Sequence, residues 1–461
     1  MHEAPSTKHE ALRARREPSA LGAPGAPRVR FALVTFGCRV NQADSLRLEE
    51  ALLARGGEAA SAGDADLVVV NTCSVTAAAD QGARQTIRRI ARENPSAQIV
   101  ATGCYATRCG EDVAALPNVV RVIRNDEKDD FIATLADGNG PCGKPVEPGI
   151  AGRTAFTLRV QTGCEERCSY CIIPSTRGAS RSLPPAHVVA EVERVAAAGF
   201  REVTLTGVHL GSYGRDLAER SSLVDLLRGL ERVDADVRFR ISSLEPMDCT
   251  PEIVDLVARS DRFLPHFHLP LQHASDRILR AMQRPYTCDG YRRLVDGIHA
   301  RLPHASIGSD MIVGFPGESD EDFEANREYL PDSPLTHLHV FPYSDRPGTV
   351  ASRMAGKVHG AIVRERGLVL RRIGAELTRR FHASQLGTVR PGLTLEDGTL
   401  VVTDNYLKVR IPPGQQRNTR VVVRIHGDGS PAQGGTLTGT ATPVLAMRRA
   451  DPAVQPATPE K

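Results

Sequence analysis

Three of the ten cysteines stand close together in the middle of the chain, in a Cys-x3-Cys-x2-Cys run formed by Cys164, Cys168 and Cys171. The run directly follows a predicted strand, so the three thiols share one loop and could surround a single inorganic group. Three thiolates suit a four-iron cubane cluster, because they leave its fourth iron open to another ligand. The alternative is zinc, which prefers four closed ligands and could take its fourth from Cys142, 22 residues upstream.

Three further cysteines are far apart in the sequence but share one position relative to predicted strands. Cys38, Cys73 and Cys104 each follow a short apolar run, and they are separated by 35 and 31 residues. Because the carboxyl ends of parallel strands meet at one edge of a sheet, we expect these thiols to converge there. The pattern favours a second three-thiolate cluster, and the alternative is three buried cysteines that only pack.

The four remaining cysteines show no comparable pattern. Cys109, Cys249 and Cys288 have no partner at ligand spacing, and Cys142 lies in a predicted linker, so we predict no role for the four beyond packing. A chain without a secretion signal is expected to keep its thiols reduced, which argues against a disulfide framework.

The composition is typical of folded protein, with 461 residues of which 41% are hydrophobic and 25% charged. No apolar run reaches the roughly 18 to 20 residues that a membrane span needs. Residues 1–28 lack the apolar core of a secretion signal and are predicted to form a disordered arm of a cytoplasmic protein. The net charge of +3 gives no global attraction to polyanions, so a nucleic-acid site would need a local basic face.

Three predicted domains position the cysteines, and together they give an α/β fold class with a small all-β domain. Residues 29–137 alternate strand and helix, as in a parallel α/β domain. A Gly/Pro-rich link follows, and residues 150–378 contain six strand–helix units that predict a (β/α)6 part-barrel. Residues 382–447 alternate with period two and predict a small closed barrel, and residues 448–461 are predicted to be a disordered tail.

Histidines and glycines near the predicted strand ends are weaker candidates. His266 and His268 alternate on one strand and His337 and His339 on another, so all four should share a face. They could hold a metal, although polar residues that simply line a barrel are commoner. The glycine-rich turn that begins at Gly207 matches no dinucleotide or Walker fingerprint, and it could admit a small cofactor or only turn the chain.

Longer stretches around the cysteines resemble one family. Gln161-Thr-Gly-Cys164-Glu-Glu-Arg-Cys168-Ser-Tyr-Cys171 is similar to the cluster loop of the radical S-adenosylmethionine methylthiotransferases. Gly37-Cys-Arg-Val-Asn-Gln42 resembles a cysteine motif of that family's N-terminal domain, and Thr403-Asp-Asn-Tyr-Leu-Lys-Val409 resembles part of a TRAM RNA-binding module. Two of the motifs are most similar to the MtaB-type branch of the family. They are Gly37-Cys-Arg-Val-Asn-Gln42 and Arg240-Ile-Ser-Ser-Leu-Glu-Pro246.

The resemblance implies an enzyme that adds a methylthio group to C2 of N6-threonylcarbamoyladenosine at position 37 of tRNA, next to the anticodon. It implies S-adenosylmethionine as cofactor together with two 4Fe–4S clusters, one held by Cys164, Cys168 and Cys171 and the other by Cys38, Cys73 and Cys104. Cofactor contacts are implied for Tyr170, Gly207, Ser242 and Val313, and RNA contacts for Arg379, Arg380 and Lys408. The implied partners are tRNA, a flavodoxin- or ferredoxin-like electron donor and a sulfur source, with no membrane.

Other activities stay open at this stage. They are methylthiolation of N6-isopentenyladenosine in tRNA, methylthiolation of an aspartate in a ribosomal protein, and RNA binding by a non-catalytic iron–sulfur protein. A radical is the expected route to C2 of adenine, because its hydrogen is not acidic enough for a side-chain base and a cofactor must supply the chemistry. Arg379 and Arg380 belong to an arginine-rich predicted helix, which could instead be an ordinary solvated surface.

Overall fold

The structure is a computed structural model that describes residues 29–136, 147–149, 153–427 and 437–443. The predicted arm, the Gly/Pro-rich link with Cys142, and the predicted tail lie outside these residues. The domain boundaries given above therefore stay predictions. None of the helices in the described part of the chain is long and apolar enough to cross a membrane.

The N-terminal domain is a parallel sheet covered by helices on both faces. Its elements are β1 (Arg30–Thr35), α1 (Arg39–Ala54), β2 (Glu58–Ala59), β3 (Leu67–Thr72), α2 (Ala77–Glu93), β4 (Gln98–Gly103), α3 (Cys104–Arg108), α4 (Gly110–Ala114), β5 (Val119–Ile123) and α5 (Lys128–Ala136). The strand order is β2-β1-β3-β4-β5. Val68 and Val70 pack beneath α2 with Ile87, whereas Val69 packs on the opposite face with Leu48 of α1. The unbroken valine run is therefore explained by burial on both faces.

The middle domain is an open barrel of six parallel strands. Its elements are β6 (Phe156–Arg159), β7 (Gln161–Thr162), α6 (Ile173–Arg177), β8 (Arg181–Ser182), α7 (Pro185–Ala197), β9 (Glu202–Thr206), α8 (Leu223–Glu231), β10 (Arg238–Ile241), α9 (Pro251–Arg259), β11 (His266–His268), α10 (Asp276–Ala281), α11 (Cys288–Arg301), β12 (Ser306–Val313), α12 (Asp320–Tyr329), β13 (His337–Pro342) and α13 (Gly360–Gln385). Two three-stranded sheets, β10-β9-β6 and β11-β12-β13, are joined by parallel bridges such as Ser243 to His268. The predicted part-barrel is confirmed.

Local features define where several elements of this domain begin and end. Strand β11 ends at His268, because Pro270 has no amide hydrogen with which to continue the ladder. Helices α9 and α10 have local signals at their starts: Ser275 accepts a hydrogen bond from Ile278 at the start of α10, and Pro251 occupies the first turn of α9.

The C-terminal domain is a closed five-stranded barrel. Its strands are β14 (Val389–Leu395), β15 (Leu400–Thr403), β16 (Lys408–Arg410), β17 (Arg420–His426) and β18 (Leu437–Pro443), in the order β14-β15-β16-β18-β17. On β17, Val421, Val423 and Ile425 point inward and are fully buried, while the residues between them are exposed or half-buried. This period-two pattern confirms the predicted small all-β barrel.

Candidate active site

The structure places the second cysteine trio at the carboxyl edge of the N-terminal sheet. Cys38 follows β1, Cys73 follows β3, and Cys104 follows β4 as the first residue of α3. Burial raises the pKa of Cys73 to about 11, and the neighbouring thiolates of Cys38 and Cys104 raise it further. The three sulfurs are therefore close enough to influence one another, and their ionisation needs a positive group in contact with them.

Glycines in the strand-end turns let the backbone come this close. Gly37 has a φ of +87°, and a Cβ there would lie 2.5 Å from Cys73 Sγ. Gly103 has a φ of +94°, and a Cβ there would lie 2.1 Å from the carbonyl oxygen of Thr72. Both positions need a residue without a side chain, which fixes Cys38 and Cys104 near Cys73.

The first cysteine trio occupies the loop between β7 and α6. The amide of Cys171 donates to the carbonyl of Cys168 at 3.1 Å, and the amide of Cys164 donates to Gly178 at 3.0 Å, so the loop closes on itself. Burial raises the pKa of Cys171 to about 12, with further contributions from the thiolates of Cys168 and Cys164. The charges of these three thiolates therefore also influence one another, and bound metal ions would neutralise them.

The distances between the sulfurs distinguish a zinc site from a 4Fe–4S cluster. Neither cysteine trio has all its sulfurs within 4.8 Å of one another. Among the described residues, the one group of three possible metal ligands that is this compact consists of His268, Asp310 and His339. A tetrahedral zinc ion, with Zn–S distances of about 2.3 Å, would draw its sulfurs to roughly 3.8 Å from one another. A wider trio fits a 4Fe–4S cluster, in which each thiolate binds a different iron.

Two polar side chains missed by the sequence analysis contact the first trio. Arg284 donates through Nη1 to Cys168 Sγ at 3.1 Å and is ion-paired with Glu245. His209 lies with Nδ1 3.9 Å from Cys164 Sγ and Nε2 2.7 Å from Asp248. Burial alone would lower the pKa of His209, but the hydrogen bonds to Asp248 and Cys164 raise it to about 10. Both side chains therefore place positive charge beside the sulfurs.

A buried ionic cluster joins the loop of the first trio to the second trio. Asp44 of α1 is fully buried, and its carboxylate contacts Lys128 at 3.0 Å, Arg159 at 2.5 Å and Arg177 at 3.3 Å. Arg177 also lies beside Cys104, and it donates to the side chain of Asn41. Burial alone would raise the pKa of Asp44, but the three cations hold it far below its usual range. We call Asp44, Lys128, Arg159 and Arg177 the Asp44 cluster.

Asn41 ties the second trio to this cluster. Its amide donates to the carbonyls of Phe36 at 2.8 Å and Thr72 at 2.9 Å, which are close to Cys38 and Cys73, and its oxygen accepts from Arg177. Asn41 belongs to the Gly37–Gln42 motif, which resembles the family. Its partner Arg177, six residues after Cys171, belongs to the other domain.

The residues predicted to contact a cofactor lie around the barrel. Tyr170 packs against a small apolar cluster that includes Phe315, and burial raises its pKa well above the usual value. Gly207 lies against the side chain of Gln161. Ser242 donates to Thr206 at 3.2 Å, inside the barrel. Val313 packs into the outer core between strands and helices, so it could contact a cofactor only through its backbone.

The residues predicted to bind RNA differ in how free they are. Arg379 is exposed but ion-paired with Glu376, and Arg380 donates to the backbone carbonyls of Pro331 and Ser333. Lys408 is exposed on β16 and has no hydrogen-bond or ion-pair partner within the part of the chain that the structure describes.

Comparisons with known proteins identify the family of the chain. The family model described as the radical SAM superfamily matches residues 158–330, and the one described as uncharacterized protein family UPF0004 matches residues 30–124. Over 399 residues the chain is 36% identical to the "Threonylcarbamoyladenosine tRNA methylthiotransferase MtaB" of Aquifex aeolicus, covering 83% of this chain and 96% of that protein. The chain belongs to the radical S-adenosylmethionine methylthiotransferase family.

Membership makes the protein a transferase that works with S-adenosylmethionine and two 4Fe–4S clusters. A second methylthiotransferase, the "tRNA-2-methylthio-N(6)-dimethylallyladenosine synthase" of Mycolicibacterium gilvum, is 33% identical over 388 residues, covering 78% of this chain and 75% of that protein. Among solved structures, the radical S-adenosylmethionine methyltransferase TsrM of Kitasatospora setae superposes with a TM-score of 0.50 at 17% identity, over 70% of this chain and 77% of that chain. That likeness concerns the fold alone.

Proposed function

We propose that this methylthiotransferase adds its methylthio group to C2 of N6-threonylcarbamoyladenosine at position 37 of tRNA. The proposal rests on one juxtaposition, namely two cysteine trios linked by a buried ionic cluster in a single chain. The substrate is taken from the name of the Aquifex aeolicus relative, which is similar to this chain over nearly its whole length.

Each trio would hold one of the two clusters. Cys164, Cys168 and Cys171 would hold the cluster at the barrel, which together with S-adenosylmethionine would supply the radical chemistry. Around it, Arg284 would hold Cys168 in its thiolate form. Tyr170, Gly207, Ser242 and Val313 would border the cofactor, with Val313 contributing backbone groups only.

Cys38, Cys73 and Cys104 would hold the second cluster, which would supply the sulfur chemistry of the transfer. Arg177 would neutralise Cys104 and, through Asn41 and Asp44, fix the distance between the two trios. Residues of two domains must therefore be assembled before both sites exist in their working arrangement.

The C-terminal barrel and helix α13 would bind the tRNA backbone. Lys408 is the strongest of the predicted phosphate contacts because it is exposed and unpaired within the described residues. Arg379 and Arg380 would have to exchange the contacts they make with Glu376 and the backbone. We expect Lys408→Gln to weaken tRNA binding and to reduce the slope of log affinity against log salt by about 1, and the same change at Arg379 to have a smaller effect. An unchanged slope for Lys408→Gln would exclude this face.

A soluble electron donor of the flavodoxin or ferredoxin type and a separate sulfur source complete the proposed reaction. The protein would act in the cytoplasm, where its tRNA is found.

The experiment is mass spectrometry of nucleosides from tRNA treated with the anaerobically reconstituted enzyme, S-adenosylmethionine, sulfide and a chemical reductant. Formation of 2-methylthio-N6-threonylcarbamoyladenosine supports the proposal. A 2-methylthio product only on N6-isopentenyladenosine would favour the activity named for the Mycolicibacterium gilvum relative. A methylthiolated aspartate in ribosomal protein, or tRNA binding without cleavage of S-adenosylmethionine, would point to the two remaining alternatives.

A further inference from the structure

A row of ring side chains crosses the interior of the part-barrel and takes part in neither cysteine trio. We call it the histidine strip; from one end to the other it consists of Arg39, Tyr406, His266, His337, His268 and His339. From Tyr406 onward, neighbouring ring centroids are 4.5 to 6.5 Å apart. The strip is therefore continuous, and it begins at the residue next to Cys38.

All three domains contribute to the strip. Arg39 comes from the N-terminal domain and donates through Nη2 to the Tyr406 hydroxyl at 2.6 Å. Tyr406 comes from the C-terminal barrel, where it is held at a φ of +69°, and its ring centroid lies 4.5 Å from that of His266. A non-glycine residue at positive φ costs free energy, so the surrounding contacts hold Tyr406 in place.

The barrel makes room for these rings. A Cβ at Gly308 would lie 2.1 Å from His337 Nε2, so the ring occupies space that any other residue at position 308 would fill. The two ends of the strip are open: the side chain of His339 is 57% exposed and Tyr406 is 37% exposed, while His266 between them is buried. A substituent can therefore approach the strip at the Tyr406 end, beside Arg39.

The strip presents one buried polar atom without a partner and one cation without a carboxylate. Arg240 nearby is neutralised by Glu202 at 2.9 Å, whereas half-buried Arg39 hydrogen-bonds Tyr406 and forms no ion pair with any described residue. His266 is buried, and its Nδ1 has no hydrogen-bond partner among the described residues. Buried polar atoms are nearly always paired, so this imidazole, one ring away from a cation without a counter-charge, indicates a polar, anionic ligand.

We propose that the histidine strip binds the N6-threonylcarbamoyl substituent of the substrate, with Arg39 pairing with its carboxylate. The inference rests on the proposed function. In adenine, C2 and C6 flank N1, so a substituent on N6 lies on the same edge of the base as the reacting carbon. Arg39, adjacent to Cys38, is therefore close to where that edge must be presented. His266, the ring next to Tyr406, would hydrogen-bond the urea oxygen.

This assignment makes the strip the source of substrate selection. An N6-isopentenyl group is hydrocarbon, and it would cover Arg39 and His266 without offering them a hydrogen bond. A site that hydrogen-bonds polar groups strongly rejects an analogue without them, because the polar groups of the site are then left unpaired.

The test is a comparison of three anticodon stem-loops that differ only at the adenosine, which is unmodified, N6-isopentenyl or N6-threonylcarbamoyl. Their affinities for the reconstituted holoenzyme are measured anaerobically by fluorescence anisotropy. We expect the wild type to bind the threonylcarbamoyl loop at least about tenfold more tightly than the isopentenyl loop. Arg39→Gln should reduce this preference to about threefold or less, and leave binding of the unmodified loop unchanged.

The matched control is Arg92→Gln. Arg92 is an exposed arginine of the same domain in the last turn of α2, at the edge of the sheet away from the cysteines, and its loss should leave the preference intact. His339→Gln should reduce the preference less than Arg39→Gln. Iron content matching the wild type shows that each variant holds its clusters.

Three results would overturn the inference. They are a wild type without preference, an Arg39→Gln variant that loses affinity equally for all three loops, and a preference that vanishes on removal of a divalent ion bound by His268, Asp310 and His339. Failure of the proposed function would look different, because the wild type would then form no methylthio product on a threonylcarbamoyl tRNA however tightly it bound the loop.

Discussion

Cys164, Cys168 and Cys171 lie within eight residues of chain, whereas Cys38, Cys73 and Cys104 are spread over 67 residues. The first trio is positioned by one loop whose amides close on its own carbonyls. The second exists only because three parallel strands end at one edge, with Gly37 and Gly103 allowing the close approach. A short motif is therefore sufficient for one site, while the other depends on the fold of a whole domain.

The two trios also differ in how they are neutralised. Arg284, which contacts Cys168, comes from the same domain as the cysteine. Arg177, which contacts Cys104, comes from the neighbouring domain and enters through the Asp44 cluster. Loss of the domain contact should therefore disturb the second trio more than the first.

The largest effect is expected from Cys171→Ala. The wild type should hold about eight irons, and the variant about four, because one four-iron cluster loses a ligand. Cleavage of S-adenosylmethionine and formation of the methylthio product should both fall below detection, as followed by chromatography and mass spectrometry. Cys288→Ala, a half-buried cysteine at the start of α11, serves as the control and should keep both activities.

Cys104→Ala should abolish formation of the methylthio product and leave cleavage of S-adenosylmethionine intact. The variant should also hold about four irons and form no methylthio product, but it should still cleave S-adenosylmethionine, because the first trio is intact. Cys109→Ala, five residues further along, is the matched control and should behave as wild type. If Cys104→Ala abolished cleavage as well, the two trios would not be independent sites.

Asp44→Asn should destabilise the protein by about 3 to 5 kcal/mol, because it leaves buried Lys128 and Arg177 without a carboxylate and leaves Arg159 with Asp129 alone. Urea unfolding of the variant and of the wild type, followed by circular dichroism, measures the difference. The control is Asp66→Asn, whose half-exposed pair with Arg30 is screened by water, so its loss should be barely measurable.

The pH dependence of this difference has a definite sign. The folded-state pKa of Asp44 lies below its unfolded value of about 3.9, so the stabilisation is fully present above about pH 5 and is lost only as the pH falls towards the folded-state value. Between pH 5.5 and 8 the gap between wild type and Asp44→Asn should therefore stay constant. A gap that shrinks towards pH 5.5 would mean that Asp44 is not held ionised by its three partners.

The smallest effects are expected from substitutions of Arg284 and Arg177, which should shift the reduction potentials of the clusters. Arg284→Gln removes a positive hydrogen-bond donor from Cys168 and should lower the reduction potential of the first cluster, because the added electron is then less well stabilised. Arg177→Gln should lower that of the second. Redox titration followed by electron paramagnetic resonance distinguishes the two clusters in each variant. A shift of both clusters by either change would show that the arginines do not act locally.

Much of this organisation could be predicted from the sequence. Strands such as β3 and β9 are short apolar runs with helices on either side, and their ends fix where Cys73 and the Gly207 turn must lie. Alternation placed His266, His268, His337 and His339 on one face, and their rings do form one strip.

What could not be predicted depends on contacts between distant segments. Nothing near Asp44 in the sequence indicates Arg159 or Arg177, which are 115 and 133 residues away. Arg284 is likewise 116 residues from Cys168. The outward direction of Val313 could have been anticipated, because period-two alternation along β12 puts Ile307, Met311 and Val313 together on the helix-covered side.

The arrangement of the Asp44 cluster bears on how the chain folds during synthesis. Lys128 lies in the same domain as Asp44, so the carboxylate can form its first ion pair before residues 159 and 177 leave the ribosome. The two arginines then dock onto a carboxylate that is already in place.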